Sequence, residues 1–165
     1  MCEGDYKGAV AALRKCLKAD PTFYRAHYSL GLWLHDKDPE VAKACFHHCV
    51  ETDSKRTVYF VEALYRIGDL LRKKGDLVDA EATYLKVLSV DPEYFWAHYK
   101  LAKLQIIKGD LVRALVWFGE CLTLNPKFVP ALNSRGHMLH KQGDKKAAEA
   151  DYRASLLAPG IYRAG

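Results

Sequence analysis

The sequence contains no apolar run long enough to cross a bilayer, and its first residues, Met1-Cys2-Glu3-Gly4-Asp5, do not form a signal peptide. We therefore predict no membrane insertion and expect a cytoplasmic location. Glycine-rich phosphate loops, nucleophile elbows and His-Glu-x-x-His motifs are also missing. For these reasons we predict neither catalysis, nor a cofactor, nor a small-molecule substrate.

A three-residue motif recurs along the chain: an Asp, an Ala four residues later, and an aromatic residue eight residues after the Asp. Four copies, separated by 38, 34 and 34 residues, begin at Asp38, Asp76, Asp110 and Asp144. A fifth copy, Asp5-Ala9-Leu13, has Leu in the aromatic position. Because positions i, i+4 and i+8 lie on one face of a helix, each copy of the motif predicts the start of a helix.

Two kinds of short signal separate the predicted helices. Asp or Asn precedes Pro in Asp20-Pro21, Asp91-Pro92 and Asn125-Pro126, which predicts an N-cap followed by the first helical residue. Gly-Asp pairs at 75–76, 109–110 and 143–144 predict the end of one helix and the cap of the next. The repeating unit is therefore a helix, a tight turn and a second helix.

With this unit the chain resembles an array of tetratricopeptide repeats, whose pattern combines Trp-x2-Leu-Gly-x2-Tyr, Ala-x3-Phe and a later Pro. The third unit matches at Leu64, Ile67, Gly68, Leu71, Ala80, Tyr84 and Pro92. The other complete units match at His27, Leu30, Gly31, Leu34, Ala42 and Phe46, at His98, Leu101, Ala102, Gln105, Ala114, Phe118 and Pro126, and at Leu132, Arg135, Gly136, Leu139, Ala148, Tyr152 and Pro159. The resemblance implies an all-α fold, a right-handed α-solenoid of helix-turn-helix repeats.

We interpret residues 1–165 as a single solenoid with a half repeat at 4–22 and repeats at about 23–53, 56–91, 92–125 and 126–160. The longer first step places a four-residue insertion near 54–61, about one helical turn. It predicts a long helix from about Arg56 to Lys74 whose extra turn protrudes and presents Tyr59 and Phe60 to a partner. The initial half repeat and the lack of a polar closing helix lead us to expect part of a larger protein, or ends covered by partners.

The five cysteines are interpreted as packing residues without disulfides. Cys16, Cys49 and Cys121 hold one position in three units, where the other units have Val or Ser, as expected for a small buried slot. Residues 45–49, Cys-Phe-His-His-Cys, lack the two separated ligand pairs of a structural zinc site. We expect no metal there, with Cys49 packed, Cys45 half-exposed and the histidines on the surface.

In the family that the chain resembles, the first helix of each pair lines a concave face that binds a peptide or partner segment. Helical offsets place twelve residues on that face, and we predict that they bind a partner: Arg25, Tyr28, Leu32, Glu62, Tyr65, Asp69, Trp96, Tyr99, Lys103, Asn133, His137 and Lys141. Tyr28, Tyr65 and Tyr99 hold the same position in consecutive units. They form either an aromatic stripe for the partner or a packing layer between first helices.

Charge is distributed unevenly, with a net +6 in residues 95–165 and −1 in residues 1–94. Lys103 and Lys141, with His137 and His140, favour an acidic segment. Some tetratricopeptide domains bind the free C-terminal carboxylate of chaperones through Lys, Asn and Arg side chains of their first helices. That Asn-rich combination is missing from this sequence, and Asp69 would repel a carboxylate, so binding of chaperone C-termini is disfavoured. The sequence favours a non-catalytic scaffold or adaptor that binds an extended or helical segment of another protein, with an acidic segment preferred.

A nucleic-acid-binding repeat protein is the alternative hypothesis. The basic C-terminal half would bind the backbone, and Trp96, Tyr99 and the histidines would stack on bases. The pI of about 8.9 and the lack of a continuous Lys/Arg stripe disfavour this interpretation.

Overall fold

The computed structural model describes residues 3–158, with side chains from Tyr6 onward, and within that range every regular element is an α-helix. The helices of this range are α1 (Glu3–Ala19), α2 (Tyr24–Leu34), α3 (Pro39–Thr52), α4 (Val58–Lys74), α5 (Leu77–Val90), α6 (Phe95–Lys108), α7 (Leu111–Leu124), α8 (Val129–Lys141) and α9 (Lys145–Leu157). Connections of two to five residues join them, as in antiparallel helical hairpins. Pro159, assigned above to the last repeat, lies outside the described residues.

The helices group into two compact units, residues 1–91 and residues 92–165. In the first unit α1 packs on α2, α2 on α3, α3 on α4 and α4 on α5. In the second unit α6 packs on α7, α7 on α8 and α8 on α9. In each unit, helices that are neighbours in sequence pack on each other. The repeat boundaries given above remain a prediction. In the described part of the chain, no helix is both long and apolar enough to cross a membrane.

The Gly-Asp pairs form the predicted turns, and the Asp side chain caps the next helix at Asp110 and Asp144 but makes no cap hydrogen bond at Asp76. The glycines have left-handed φ values of +97°, +81° and +88° at Gly75, Gly109 and Gly143. Asp110 Oδ1 accepts a hydrogen bond from the Arg113 N–H at 3.0 Å, and Asp144 Oδ1 accepts one from the Ala147 N–H at 3.0 Å. These carboxylates satisfy amide groups that have no partner within the first helical turn.

The Asp-Pro and Asn-Pro pairs at 20–21, 91–92 and 125–126 do not cap helices, so that prediction is wrong. The helices that follow begin three residues after each Pro, at Tyr24, Phe95 and Val129. Asp20 Oδ1 accepts hydrogen bonds from the Thr22 N–H at 2.9 Å and from the Thr22 hydroxyl at 2.8 Å. An Asp side chain that bonds two residues ahead closes a turn, and the helix starts only after that turn.

Two histidines connect these turns to the helices that follow. His27 Nε2 lies 2.8 Å from the carbonyl oxygen of Pro21, and His98 Nε2 lies 2.9 Å from that of Pro92. Because a carbonyl oxygen only accepts, the ring N–H is the donor in both contacts. In these two units a His occupies the Trp position of the repeat pattern, and its hydrogen bond stabilises the preceding turn.

A close contact between a glycine and an aromatic ring recurs in the helix pairs. Phe46 and Tyr84 are fully buried on α3 and α5. A Cβ atom built on Gly31 would lie 2.6 Å from the Phe46 ring, and one on Gly68 would lie 2.7 Å from the Tyr84 ring. Glycine at these positions therefore allows the two helices of a pair to approach closely.

Gly68→Ala is expected to lower the free energy of unfolding by about 1–3 kcal/mol, because the new methyl group overlaps the buried Tyr84 ring. Gly119→Ala is the control, since Gly119 lies inside α7 with nothing within 4 Å of its Cβ position. Alanine there should raise stability by about 0.5–1 kcal/mol. Urea unfolding of both variants measures the difference, and equal responses would contradict the packing role of Gly68.

The helix after the insertion is long, as predicted, but its first turn does not protrude. Phe60 is buried, and Tyr59 is half-buried with its ring centre 5.4 Å from that of Tyr28. Asp53 Oδ2 accepts a hydrogen bond from the Thr57 N–H at 3.0 Å, which closes the loop ahead of α4. The prediction that Tyr59 and Phe60 project as contact residues is therefore wrong for Phe60, because the closed loop folds the added turn onto α2 and α3.

Candidate partner-binding surface

The predicted binding residues at the start of α2 and α4 lie close together. Arg25 is exposed, while Tyr28 and Glu62 are half-buried. The Tyr28 hydroxyl donates a hydrogen bond to Glu62 Oε2 at 3.4 Å. The Arg25 guanidinium lies 5.5 Å from the centre of the Tyr59 ring, within the range of a cation–π contact. Leu32, farther along α2, is exposed.

Tyr65 and Asp69 are buried, with 6% and 7% of their surface exposed, so the expectation that they face a partner is wrong. The Tyr84 hydroxyl donates to Asp69 Oδ1 at 3.1 Å, and Arg72 Nε donates to the same oxygen at 3.3 Å. Burial, followed by the Asp69 charge, raises the pKa of Tyr84 well above its usual value. The helical offsets place Tyr65 and Asp69 on a first helix, α4, but the Tyr84 side chain of α5 packs on them.

The three tyrosines of the predicted stripe each pack on the aromatic residue of the second helix in their own pair. The ring centres are 5.9 Å apart for Tyr28 and Phe46, 6.1 Å for Tyr65 and Tyr84, and 6.0 Å for Tyr99 and Phe118. The repeated tyrosine therefore stabilises each helical hairpin. Tyr28 and Tyr99 are only half-buried, so part of each ring is also accessible to a partner.

A cleft of about 450 Å³ in the second unit is lined by four of the predicted residues, namely Lys103, Asn133, His137 and Lys141. The rest of the lining consists of one hydroxyl and three apolar side chains, those of Ser134, Ile106, Leu111 and Met138. The charged lining residues, Lys103 and Lys141, are both cationic, and both are exposed. The cleft therefore combines hydrogen-bond donors and positive charge with an apolar wall.

Trp96 and Tyr99 lie outside the lining of this cleft. Their ring centres are 4.8 Å and 5.2 Å from that of Phe128, which is buried just before α8. Within the second unit, the structure thus brings Lys103, Asn133, His137 and Lys141 together and places Trp96 and Tyr99 in a packing layer between α6 and the start of α8.

A second cavity, of about 400 Å³, lies in the first unit at the ends of α2 and α4. Lys73 Nζ lies 3.1 Å from His35 Nε2 and 3.2 Å from Asp36 Oδ1, and Lys74 Nζ lies 3.4 Å from Glu40 Oε1. Burial, followed by the Lys73 charge, lowers the pKa of His35. Because Lys73 and Lys74 already have acidic partners, this cavity is a weaker candidate for an anionic ligand.

The Cys-His cluster at 45–49 divides between the interior and the surface. Cys45 and Cys49 are both buried, so the prediction of a half-exposed Cys45 is wrong, while His47 and His48 are exposed as predicted. The Cys49 thiol donates to the Tyr59 carbonyl at 3.7 Å, and burial raises its pKa to about 12. Across the described residues, no group of three or more His, Cys, Asp or Glu side chains is arranged to hold a metal ion.

The helical offsets do not select Ser134, Leu111 or Met138, although all three line the cleft. Ser134 and Met138 are one turn apart and directly follow Asn133 and His137, so a wider face on α8 would include them. Leu111 is the first residue of α7, a second helix, and offsets counted on first helices exclude it.

Comparisons with known proteins find repeat families in three parts of the chain. A model described as TPR repeat matches residues 68–106, and one described as Tetratricopeptide repeat matches residues 3–23 and 129–158. DnaJ homolog subfamily C member 3 of Homo sapiens is 31% identical over 96 residues, which cover 58% of this chain and 19% of that protein. The matched region thus spans about a fifth of the length of this relative.

Solved structures share the fold over most of the chain. MamA has a TM-score of 0.78 at 24% identity, and the match covers 93% of this chain and 88% of that one. YrrB, described as a TPR protein with an unusual peptide-binding site, has a TM-score of 0.68 at 18% identity, covering 93% and 77%. At these identities the likeness shows the fold alone, and the predicted class, an all-α helical repeat solenoid, is confirmed.

Proposed function

Because the chain belongs to the tetratricopeptide repeat family, we propose that it is a non-catalytic scaffold that binds a segment of a partner protein in the groove of its first helices. The repeats and their structural neighbours support a protein-interaction scaffold. The peptide-binding site attributed to YrrB supports a peptide segment, rather than a small molecule, as the ligand of such a fold.

The cleft between α6 and α8 is the observation that supports this function best. Lys103, Lys141 and the Asn133 amide offer donors that match carboxylates, and the wall around Met138 offers apolar surface. A volume of about 450 Å³ is within the range of sites that enclose a ligand. The proposed ligand is therefore an acidic segment, extended or helical, with at least one apolar residue.

The first unit supplies further proposed contacts through the exposed parts of Arg25, Tyr28, Leu32 and Glu62. Trp96 and Tyr99 are half-buried, so only the accessible parts of their rings belong to the proposed surface. Tyr65 and Asp69 are not part of the proposed surface, because both are buried and hold the α4–α5 pair together.

Charge reversal in the cleft should weaken binding of an acidic peptide at least tenfold, which corresponds to about 1.4 kcal/mol. The probe is a fluorescein-labelled Glu-rich peptide with a single Leu, and anisotropy titration compares the wild type with Lys103→Glu/Lys141→Glu. Wild-type binding should also weaken between about 50 and 300 mM NaCl, because salt screens exposed charges.

The matched control is Lys145→Glu/Lys146→Glu, which reverses the same amount of charge at exposed positions of α9 outside the cleft lining. This control should keep the wild-type affinity, and an equal loss would show that only net charge matters. A single-stranded oligonucleotide is titrated in parallel. If it binds more tightly than the peptide, and the cleft variant abolishes that binding, the ligand is a nucleic acid and the proposed function is wrong.

A further inference from the structure

Helix α7 exposes apolar side chains along one line of its surface. Val112 is 72% exposed, and Val116, one turn later, is 59% exposed. Gly119 follows on the same side of the helix, and no atom of the described residues lies within 4 Å of its Cβ position. None of the three lines the cleft between α6 and α8. We refer to Val112, Val116 and Gly119 as the α7 exposed face.

Two opposite charges border the α7 exposed face on one flank. Arg113 and Glu120 are both exposed, and each directly follows a residue of the face. They are seven residues apart, which is roughly 10 Å along the helix axis. Arg113 also pairs with Asp110 on its own helix, with Nε and Oδ2 3.3 Å apart, but 71% of the Arg113 side chain is exposed. Its guanidinium therefore has further N–H groups for a second carboxylate.

This arrangement of charges is complementary to a second copy of itself. When two copies of a helix pack antiparallel around a two-fold axis, the same flank of each copy meets in reverse order. With the axis at the level of Val116, Arg113 of each copy lies opposite Glu120 of the other. Val116 then packs beside Val116 of the second copy. Gly119 lies opposite the segment between Val112 and Val116 of the second copy, and it leaves room for those side chains because it has none of its own.

Helix α5 has the same pattern 34 residues earlier, but with the charges exchanged. Val78 is 74% exposed, and exposed Asp79 and Lys86 hold the positions that Arg113 and Glu120 hold on α7. An antiparallel contact of α7 with α5 of a second copy would place Arg113 opposite Lys86. It would also place Glu120 opposite Asp79. Because like charges across an interface disfavour association, the charges favour contact of α7 with α7 over contact of α7 with α5.

We propose that the chain forms a homodimer in which the α7 exposed faces of two copies pack antiparallel around a two-fold axis. Val112 and Val116 form the apolar centre of the interface. Two symmetry-related ion pairs, each between Arg113 of one copy and Glu120 of the other, form its border. Because each copy contributes a single helix, the interface is small, and we expect a dissociation constant on the order of 10–100 μM.

Sedimentation equilibrium of the full chain at several concentrations measures this association. Val116→Asp should weaken it at least tenfold, because the new carboxylates of the two copies meet at the centre of the interface. Val58→Asp is the matched control, since Val58 is 65% exposed on α4, and it should leave the association unchanged. Both variants should unfold as the wild type does in dilute solution, because both positions are exposed.

Exchange of the charges tests whether the bound surface is a second copy of α7. Arg113→Glu and Glu120→Arg should each weaken self-association about tenfold, because each places like charges opposite each other twice. The double variant Arg113→Glu/Glu120→Arg should associate as the wild type does, since both ion pairs form again with the signs exchanged. An equimolar mixture of the two single variants should also form dimers, because each supplies the charge that the other lacks.

Three results would overturn the proposal. The first is a monomer at all concentrations up to about 1 mM, which leaves only a very weak contact. The second is a dimer that Val116→Asp does not weaken, including one that Val78→Asp disrupts through α5 instead. The third is failure of both the double charge variant and the mixture to restore association. Val116→Asp should bind the acidic peptide with wild-type affinity, because Val116 lies outside the cleft lining, so this test and that of the cleft can fail independently.

Discussion

Asp69→Ala is expected to lower the free energy of unfolding by about 3 kcal/mol. The Asp69 carboxylate accepts hydrogen bonds from the Tyr84 hydroxyl and from Arg72 inside the α4–α5 pair. Removal of one partner from such a group leaves the others without an acceptor in a dry environment, which costs several kcal/mol. Urea unfolding followed by circular dichroism measures the loss.

Asp36→Ala is the matched control for this prediction. The Asp36 carboxylate also pairs with a cation, Lys73 at 3.2 Å, but most of its side chain is exposed. An exposed pair of this kind contributes about 0–1 kcal/mol. If Asp69→Ala lowered stability no more than Asp36→Ala but abolished binding of the acidic peptide, Asp69 would be a contact residue, and its structural role would be wrong.

Phe118→Ala is expected to lower the free energy of unfolding by about 3–5 kcal/mol, the range for truncating a fully buried aromatic side chain. Phe118 has no exposed surface, and its cluster includes residues of α6, α7 and α8. The cavity would therefore remove packing from three helices at once. Thermal and urea unfolding of the variant both report the change.

Tyr152→Ala provides the comparison, because Tyr152 holds the same repeat position on α9 but is 36% exposed. Its truncation should lower the free energy of unfolding by about 1–2 kcal/mol, since less contact is lost. Equal losses for Phe118→Ala and Tyr152→Ala would contradict the conclusion that Phe118 makes more buried contacts than the partly exposed Tyr152.

The fold was predictable because local signals repeat at a fixed period. The Gly109-Asp110 and Gly143-Asp144 turns have the backbone and side-chain geometry that the dipeptides predict. Asp20-Pro21 was not predictable in the same way, because the same two residues suit both an N-cap and a turn. In the structure the Thr22 hydroxyl and amide both bond the Asp20 side chain and close the turn.

Half of the candidate site could also be found from the sequence. Asn133, His137 and Lys141 are four residues apart and so share one face of α8, and Lys103 holds on α6 the position that His137 holds on α8. Repeat spacing was enough to predict that these four side chains meet. Their role in binding stays a prediction.

Burial could not be predicted from the helical offsets. An offset gives the direction of a side chain relative to its own helix, whereas burial depends on what the next helix places against it. Asp69 is covered by the Tyr84 side chain of α5, and Phe60 is buried because the loop closed by Asp53 folds the first turn of α4 onto α2 and α3. Both errors come from contacts between residues in different helices or loops.

Each unit contains a thiol that solvent does not reach, Cys49 in the first and Cys121 in the second. Burial raises the pKa of both to about 12, so each sulfur stays protonated near neutral pH. Alkylating reagents attack the thiolate, so they react at these positions only after the surrounding helices separate. The rate at which each of the two thiols is alkylated therefore reports local unfolding around it. Mass spectrometry of the alkylated peptides would measure these rates separately for the first and the second unit.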